Sequence, residues 1–163
     1  TVRDNVLVAC HQHTNYGLAD SILKTKHYSK EEVEIKKRGV DLLGIFGLEK
    51  LQDEYAANLP YGQQRRLEIV RALATDPKLI LLDEPAAGMN PQETSTLMQL
   101  IKRIRQEFDL TILLIEHDMR VIMGICERIL VLDYGVTIAQ GPPEVIRKDP
   151  KVIEAYLGET SQE

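Results

Sequence analysis

The most constraining stretch of this chain is Leu79-Ile80-Leu81-Leu82-Asp83-Glu84-Pro85, an apolar run that ends abruptly in two acids and a proline. Four apolar residues without alternation predict a strand buried on both faces of a parallel sheet. The run Thr111 to Ile115 has the same texture and predicts a second buried strand. Between them, Asn90-Pro91-Gln92-Glu93 supplies an N-cap, a proline at the first helical position and a glutamate to close a capping box. The helix that follows is expected to turn Leu97, Leu100, Ile101, Ile104 and Phe108 inward. Strand, helix, strand at this spacing is the α/β pattern.

The rest of the chain falls on either side of this unit. Residues 1–62 read as a helical subdomain, and residues 63–163 as α/β with closing helices. Thr1 with Asp4 forms a capping box for a helix through Ala9, and Ser29 with Glu32 suggests a second. His11 to His27 reads as a polar loop with about one helical turn. Val33, Val40, Leu43 and Phe46 are spaced for one apolar helix face that stops at Gly47. Leu48 to Asn58 reads as a short helix and an irregular link. Gln63 to Thr75 reads as a helix with Leu67, Val70 and Ala74 on its inner face. Asp118 to Cys126 is helical by the same pattern. Asp133-Tyr134-Gly135 between Ile129–Leu132 and Val136–Ala139 signals a hairpin, and two short helices follow, the second opened by Asp149-Pro150.

Composition excludes several classes. The net charge is -5, whereas a dedicated nucleic-acid binder carries a basic excess. No apolar run reaches the ~20 residues that span a bilayer. The two cysteines, Cys10 and Cys126, suit free thiols in a reducing compartment. Cys10-His11-Gln12-His13 holds three candidate metal ligands, but a fourth ligand is not signalled, and a polar loop is the simpler reading. Glu31-Glu32 reads as a helix N-terminus matched to its dipole.

Three segments carry chemistry. Asp83 ends an apolar strand, where α/β sheets bind ligands. Its carboxylate suits Mg²⁺ held through water. Glu84, one residue on, is placed to accept a proton from an attacking water. Leu59-Pro60-Tyr61-Gly62-Gln63 enters a helix whose first N–H groups can face an anion. Ile115-Glu116-His117-Asp118 puts a histidine just past the second strand, at the same sheet edge if the strands are neighbours. Taken singly, each also reads blandly: a solvated acidic turn, a Pro-Gly turn, a surface histidine.

In order and spacing, the three together resemble the back half of an ABC-type ATPase. Leu59 to Gln63 resembles the family signature, Leu79 to Glu84 its Walker B strand, Ala87-Gly88-Met89-Asn90 its D-loop, and His117 its switch histidine. The tail Val152-Ile153-Glu154-Ala155-Tyr156-Leu157-Gly158-Glu159 resembles the branched-chain amino acid importer group, and lipopolysaccharide exporters and urea importers end similarly.

The resemblance implies the C-terminal part of a P-loop-type ATPase domain, a parallel sheet preceded by a helical subdomain. It implies ATP and Mg²⁺ as cofactors, Glu84 as general base and His117 as switch. It places Leu59, Tyr61, Gly62, Gln63 and Asn90 at nucleotide, and Asp83 at the metal through water. The implied partners are a second ABC ATPase subunit, two transmembrane permeases and an extracytoplasmic solute-binding protein, with no nucleic acid. The implied place is peripheral, on the cytoplasmic face of the membrane. Rival readings are a soluble ABC-type ATPase acting on DNA or ribosomes, and a binding-only pseudo-ATPase.

Three departures stand out. Pro60 and Tyr61 replace the usual Ser and Gly of the signature, and Pro60 offers neither hydroxyl nor N–H. Asn90 stands where Asp is commoner. The sequence contains no G-x-x-x-x-G-K-[ST] loop. With that loop missing and Thr1 rather than Met at its start, the chain reads as N-terminally truncated, and without the loop as by itself inactive.

Overall fold

The computed structural model describes residues 1–157. Gly158 and Glu159 of the tail motif, with the rest of the 63–163 segment beyond them, lie outside the described residues. The chain forms two compact units. One comprises residues 1–81 and 88–113, the other residues 82–87 and those from 114 onward.

The first unit is mainly helical. Helix α1, Val2–Cys10, starts on the expected capping box, with Thr1 and Asp4 satisfying each other's backbone N–H groups. It buries Val2, Val6 and Cys10 and packs on α3, Lys26–Ile45, and α4, Tyr61–Ala74. Gly39 of α3 faces Leu7, whose Cδ2 would lie 3.1 Å from an added Cβ, so a side chain there would require the Leu7 side chain to give by a few tenths of an ångström. The buried face of α4 includes Leu67, Val70 and Ala74, as the spacing predicts. Fully burying an aliphatic side chain stabilises by ~1.5–3 kcal/mol each.

Several expectations are corrected here. The 11–27 segment is more structured than a loop with one turn. It contains a 3₁₀ turn, His11–His13, and helix α2, Leu18–Leu23. Helix α3 is capped by Thr25, not Ser29, because Lys24 adopts a left-handed backbone (φ 48°) that ends α2 and lets the Thr25 hydroxyl accept the Tyr28 N–H. Glu32 therefore closes no box. It accepts the Tyr16 hydroxyl at 2.9 Å and faces His11 Nε2 at 3.1 Å. Burial would raise the Glu32 carboxyl, but these two bonds hold it below its ordinary range. The buried stripe of α3 is Gly39, Leu42 and Leu43, leading into Phe46, while Val33 and Val40 are exposed. Leu48 to Asn58 forms two 3₁₀ turns, Glu49–Leu51 and Ala56–Asn58.

Strands β1, Leu79–Asp83, and β2, Thr111–Ile115, are hydrogen-bonded neighbours. They run parallel: the Thr111 N–H donates to the Lys78 carbonyl at one end, and the Glu84 N–H to the Ile115 carbonyl at the other. Burial on both faces is not observed. Ile80 and Leu82 are buried, but Leu79 is 50% and Leu81 66% exposed, as are Leu113 and Ile115 to a similar degree. The described residues cover one side of this pair. Helix α5, Pro91–Glu107, connects the strands from its Asn90–Glu93 capping box and buries Leu97, Ile101 and Ile104; Leu100 and Phe108 are half-buried.

In the second unit, α6, Met119–Ile125, follows β2, and β3, Ile129–Asp133, pairs antiparallel with β4, Val136–Gly141. The hairpin turns through Tyr134 (φ 44°) and Gly135 (φ 79°). Two consecutive positive φ values match the right-handed twist of the strands. Helices α7, Pro143–Ile146, and α8, Pro150–Val152, close the unit. Ile146 and Val152 pack with Ile129 and Val131, flanked by Met119, Ile122 and Met123.

Candidate functional site: a strand-end acid pair and a helix N-terminus

The structure gathers the expected site residues into two groups, one in each unit. The first surrounds the end of β1. Asp83 is the last residue of the strand and shares its exposed face with Leu79 and Leu81. Among the described residues its carboxylate makes no ion pair or side-chain hydrogen bond, so its oxygens are open to a hard cation's water shell.

Glu84 breaks the alternation of the strand. Its φ is 44°, in the left-handed region that residues with a Cβ rarely occupy. The conformation is held by the Glu84 N–H donating to the Ile115 carbonyl at 2.9 Å, and by the Ala87 N–H donating to the Glu84 carbonyl at 3.1 Å. Strain of this kind persists only where the surroundings over-determine it, and it concentrates at functional positions. Here it aims the Glu84 carboxylate at His117, with Oε1 3.3 Å from Nδ1. Both side chains are exposed, so the contact itself adds little stability. Its value is orientation.

Two residues that the sequence reading left without a role complete this group. Glu116 precedes His117, and its carboxylate is buried. It accepts the Ala86 N–H at 3.2 Å and the N–H groups of His117 and Asp118 at 3.0 and 3.3 Å. Asp118 caps α6 by accepting the Arg120 N–H at 2.8 Å, and it pairs with the Arg120 guanidinium at 2.9 Å. That hydrogen-bonded guanidinium holds the Asp118 carboxyl below its usual range, partly opposed by burial. The sequence signal for Glu116 was its place directly after a strand, in line with Glu84.

The second group is the start of α4. Pro60 occupies the N-cap position, and its carbonyl accepts the N–H groups of Gln63 and Gln64. No side chain caps this end. The N–H groups of Tyr61 and Gly62 therefore have no partner within the helix, the arrangement that suits an anion. Leu59 is buried, and its carbonyl accepts the Gln64 side-chain amide at 2.7 Å. Gln63 is half-buried.

Tyr61 is held by Arg65, whose Nε donates to the phenol oxygen at 2.9 Å and whose guanidinium lies 5.1 Å from the ring centroid. Hydrogen bonds to Glu68 first, then to Tyr61, raise the Arg65 pKa further. The Tyr61 ring also packs on Gly88, and Gly62 faces Glu93. The signature turn and the segment before α5 are thus one packed patch. Within it, the Asn90 side-chain oxygen accepts the Glu93 N–H at 3.0 Å, so it serves as the cap of α5.

The model of the ABC transporter family matches residues 1–87, and that of the branched-chain amino acid ATP-binding cassette transporter matches residues 136–161. The chain belongs to the ABC transporter family. It is 48% identical over 159 residues to the high-affinity branched-chain amino acid transport ATP-binding protein LivG of Escherichia coli, covering 98% of this chain. It is 45% identical, over the same share, to BraF of Pseudomonas aeruginosa, described in the same words. The chain spans 62% of the length of each of these relatives. Among solved structures it resembles an ATP-binding cassette of an ABC transporter in its ADP conformation, with TM-score 0.75, 31% identity, and coverage of 97% of this chain and 63% of that one. A part of the cbiONQ transporter complex of Clostridium perfringens gives TM-score 0.75 at 30% identity, covering 94% and 55%. The fold is that of an ABC ATPase domain.

Proposed function

We propose that this chain is part of the ATP-hydrolysing subunit of an importer of branched-chain amino acids. The observation that carries the chemistry is the Glu84–His117 pair at 3.3 Å, set by a strained backbone at a strand end. The relatives LivG and BraF, described as serving high-affinity branched-chain amino acid transport, support the substrate class.

In this reading Glu84 accepts the proton of the attacking water. His117, with Nδ1 3.3 Å from Glu84 Oε1, leaves Nε2 for the water and the terminal phosphate. Asp83, whose carboxylate makes no ion pair or side-chain hydrogen bond among the described residues, would hold Mg²⁺, which would supply charge neutralisation at the phosphate oxygens. The bare N-terminus of α4, with Tyr61 and Gly62, covers the nucleotide held by a second ATPase subunit, and Leu59, Gln63 and Asn90 shape that surface from behind. This division matches the placing of the two groups in separate units.

No helix among the described residues is long and apolar enough to cross a membrane. The importer reading brings with it two permeases and an extracytoplasmic solute-binding protein, with this subunit peripheral on the cytoplasmic face. The sequence lacks the Gly-rich phosphate loop, so the 163 residues alone are expected to show no turnover.

The test uses the full-length subunit in its transporter, with the partner's site disabled. Glu84→Gln should lower hydrolysis by ~10²- to 10⁴-fold, the range of a general base, while nucleotide binding persists. An unchanged rate would remove Glu84 from this role. Hydrolysis that no branched-chain amino acid stimulates, with the solute-binding protein present, would refute the substrate assignment.

A further inference from the structure

We propose that Glu116 is a positioning residue that sets the geometry of Glu84 and His117; the inference rests on the hydrolytic reading above. The Glu116 side chain is 1% exposed, yet it carries a carboxylate. A buried charge is costly unless fully hydrogen-bonded. Glu116 meets that condition with three backbone donors and no side chain. Oε1 accepts from Ala86, two residues after Glu84, and Oε2 accepts from His117 and Asp118. The same Oε2 lies 3.8 Å from His117 Nδ1.

One carboxylate therefore ties the turn after β1 to the turn after β2. Ala86 and Glu116 are thirty positions apart, so this link is tertiary and not part of either turn. The strand pair already holds Glu84 from the front, through the Ile115 carbonyl. Glu116 holds the chain from behind, through Ala86. Glu84 has a backbone conformation that would relax if released. Clamped on both sides, it keeps its carboxylate on His117. Both oxygens are needed, because an amide offers only one acceptor. In a Glu116→Gln variant the amide oxygen best serves the two donors of His117 and Asp118. Its NH₂ group then opposes the Ala86 N–H, and that arm of the clamp opens.

The experiment compares wild type, Glu116→Gln and Glu84→Gln in the full-length subunit assembled in its transporter. A displacement of about 1 Å at a reacting group costs up to ~10²-fold. The expected result for Glu116→Gln is a fall in kcat of about ten- to a hundredfold, with KM for ATP within about twofold of wild type. In parallel, amide exchange at Ala86 should accelerate, while His117 and Asp118 keep their protection. Wild-type kcat in Glu116→Gln, or a rise in KM that accounts for the loss, overturns the proposal. Unchanged Ala86 exchange overturns the clamp whatever the activity. If the amide variant does not fold, Glu116→Asp keeps the charge and shortens the reach by a methylene, and the same two readouts decide. Failure of the hydrolytic reading itself is recognised separately: Glu84→Gln would then retain activity while the Ala86 exchange still responds to Glu116.

Discussion

The packed patch between the signature turn and the segment before α5 makes a quantitative prediction at Gly88. Its φ is 73°, and an added Cβ would sit 3.3 Å from Cε1 of Tyr61 and 3.8 Å from its Cζ. Gly88→Ala meets two costs. A left-handed backbone costs a residue with a Cβ about 1–2 kcal/mol. The contact requires the ring to yield by a few tenths of an ångström. Tyr61 is 45% exposed and its phenol oxygen is held by the flexible Arg65 side chain, so the ring can move and the backbone cost dominates. For a domain of this size each kcal/mol lowers Tm by about 2–4 °C. The expected loss is therefore about 2–8 °C, measured by thermal unfolding of the full-length protein without nucleotide, since a bound ligand would shift the midpoint. Gly88→Asn should lose less, although its side chain is larger, because asparagine tolerates the left-handed region. Adding Tyr61→Ala to Gly88→Ala should restore little. A Gly88→Ala protein as stable as wild type would refute the backbone argument. Full restoration by Tyr61→Ala would show that the ring contact, not φ, sets the cost.

Two further outcomes are expected. Asp118→Ala removes the cap of α6 and should destabilise by ~1 kcal/mol in chemical denaturation at neutral pH. Because the folded Asp118 carboxyl is held below its ordinary value of 3.8, its contribution is present above that pH and is lost as the pH falls through the lowered folded value. The gap between wild type and variant should therefore close in acid, and a gap that widens in acid would contradict the assigned shift. For the proposed permease contact, α2 and α3 expose Leu18, Ile22, Leu23 and Val33. Single cysteines at these positions in the assembled transporter should crosslink to the permease, whereas crosslinks only from positions after Asp118 would show that the docking face lies elsewhere.

The features that could be read from sequence were those with local causes. Thr1 with Asp4, and Asn90 with Glu93, cap their helices as the three-residue spacing says, because donor and acceptor lie within one turn. The Asp133-Tyr134-Gly135 hairpin depends on two residues tolerating positive φ, again a local matter. What failed involved a competing partner. Ser29 and Glu32 have the right spacing for a cap, but Tyr16 and His11 take Glu32, and Thr25 takes the helix end. Val33 and Val40 have helical spacing yet lie off the buried stripe of Gly39, Leu42 and Leu43. An apolar run shows that a strand wants cover on both faces. It does not show whether the cover lies within the same stretch of chain, and Leu79, Leu81, Leu113 and Ile115 remain exposed here.

The candidate site divides along the same line. Glu84 and His117 were legible as a pair because each follows an apolar strand, and parallel neighbours must end at one edge. The Glu84 N–H to Ile115 carbonyl bond is that rule expressed in one contact. The place of Glu116 directly after β2 is legible in sequence, but its burial and its partners are not. In sequence it is one more acid in an acidic chain. Its role depends on being buried with three N–H groups around it, one supplied from thirty residues away. A charged residue flanking a catalytic candidate can be solvated and dispensable, or buried and structural, and side-chain burial separates the two. At this sheet edge, the proposed base is the more exposed acid and the proposed clamp is the hidden one.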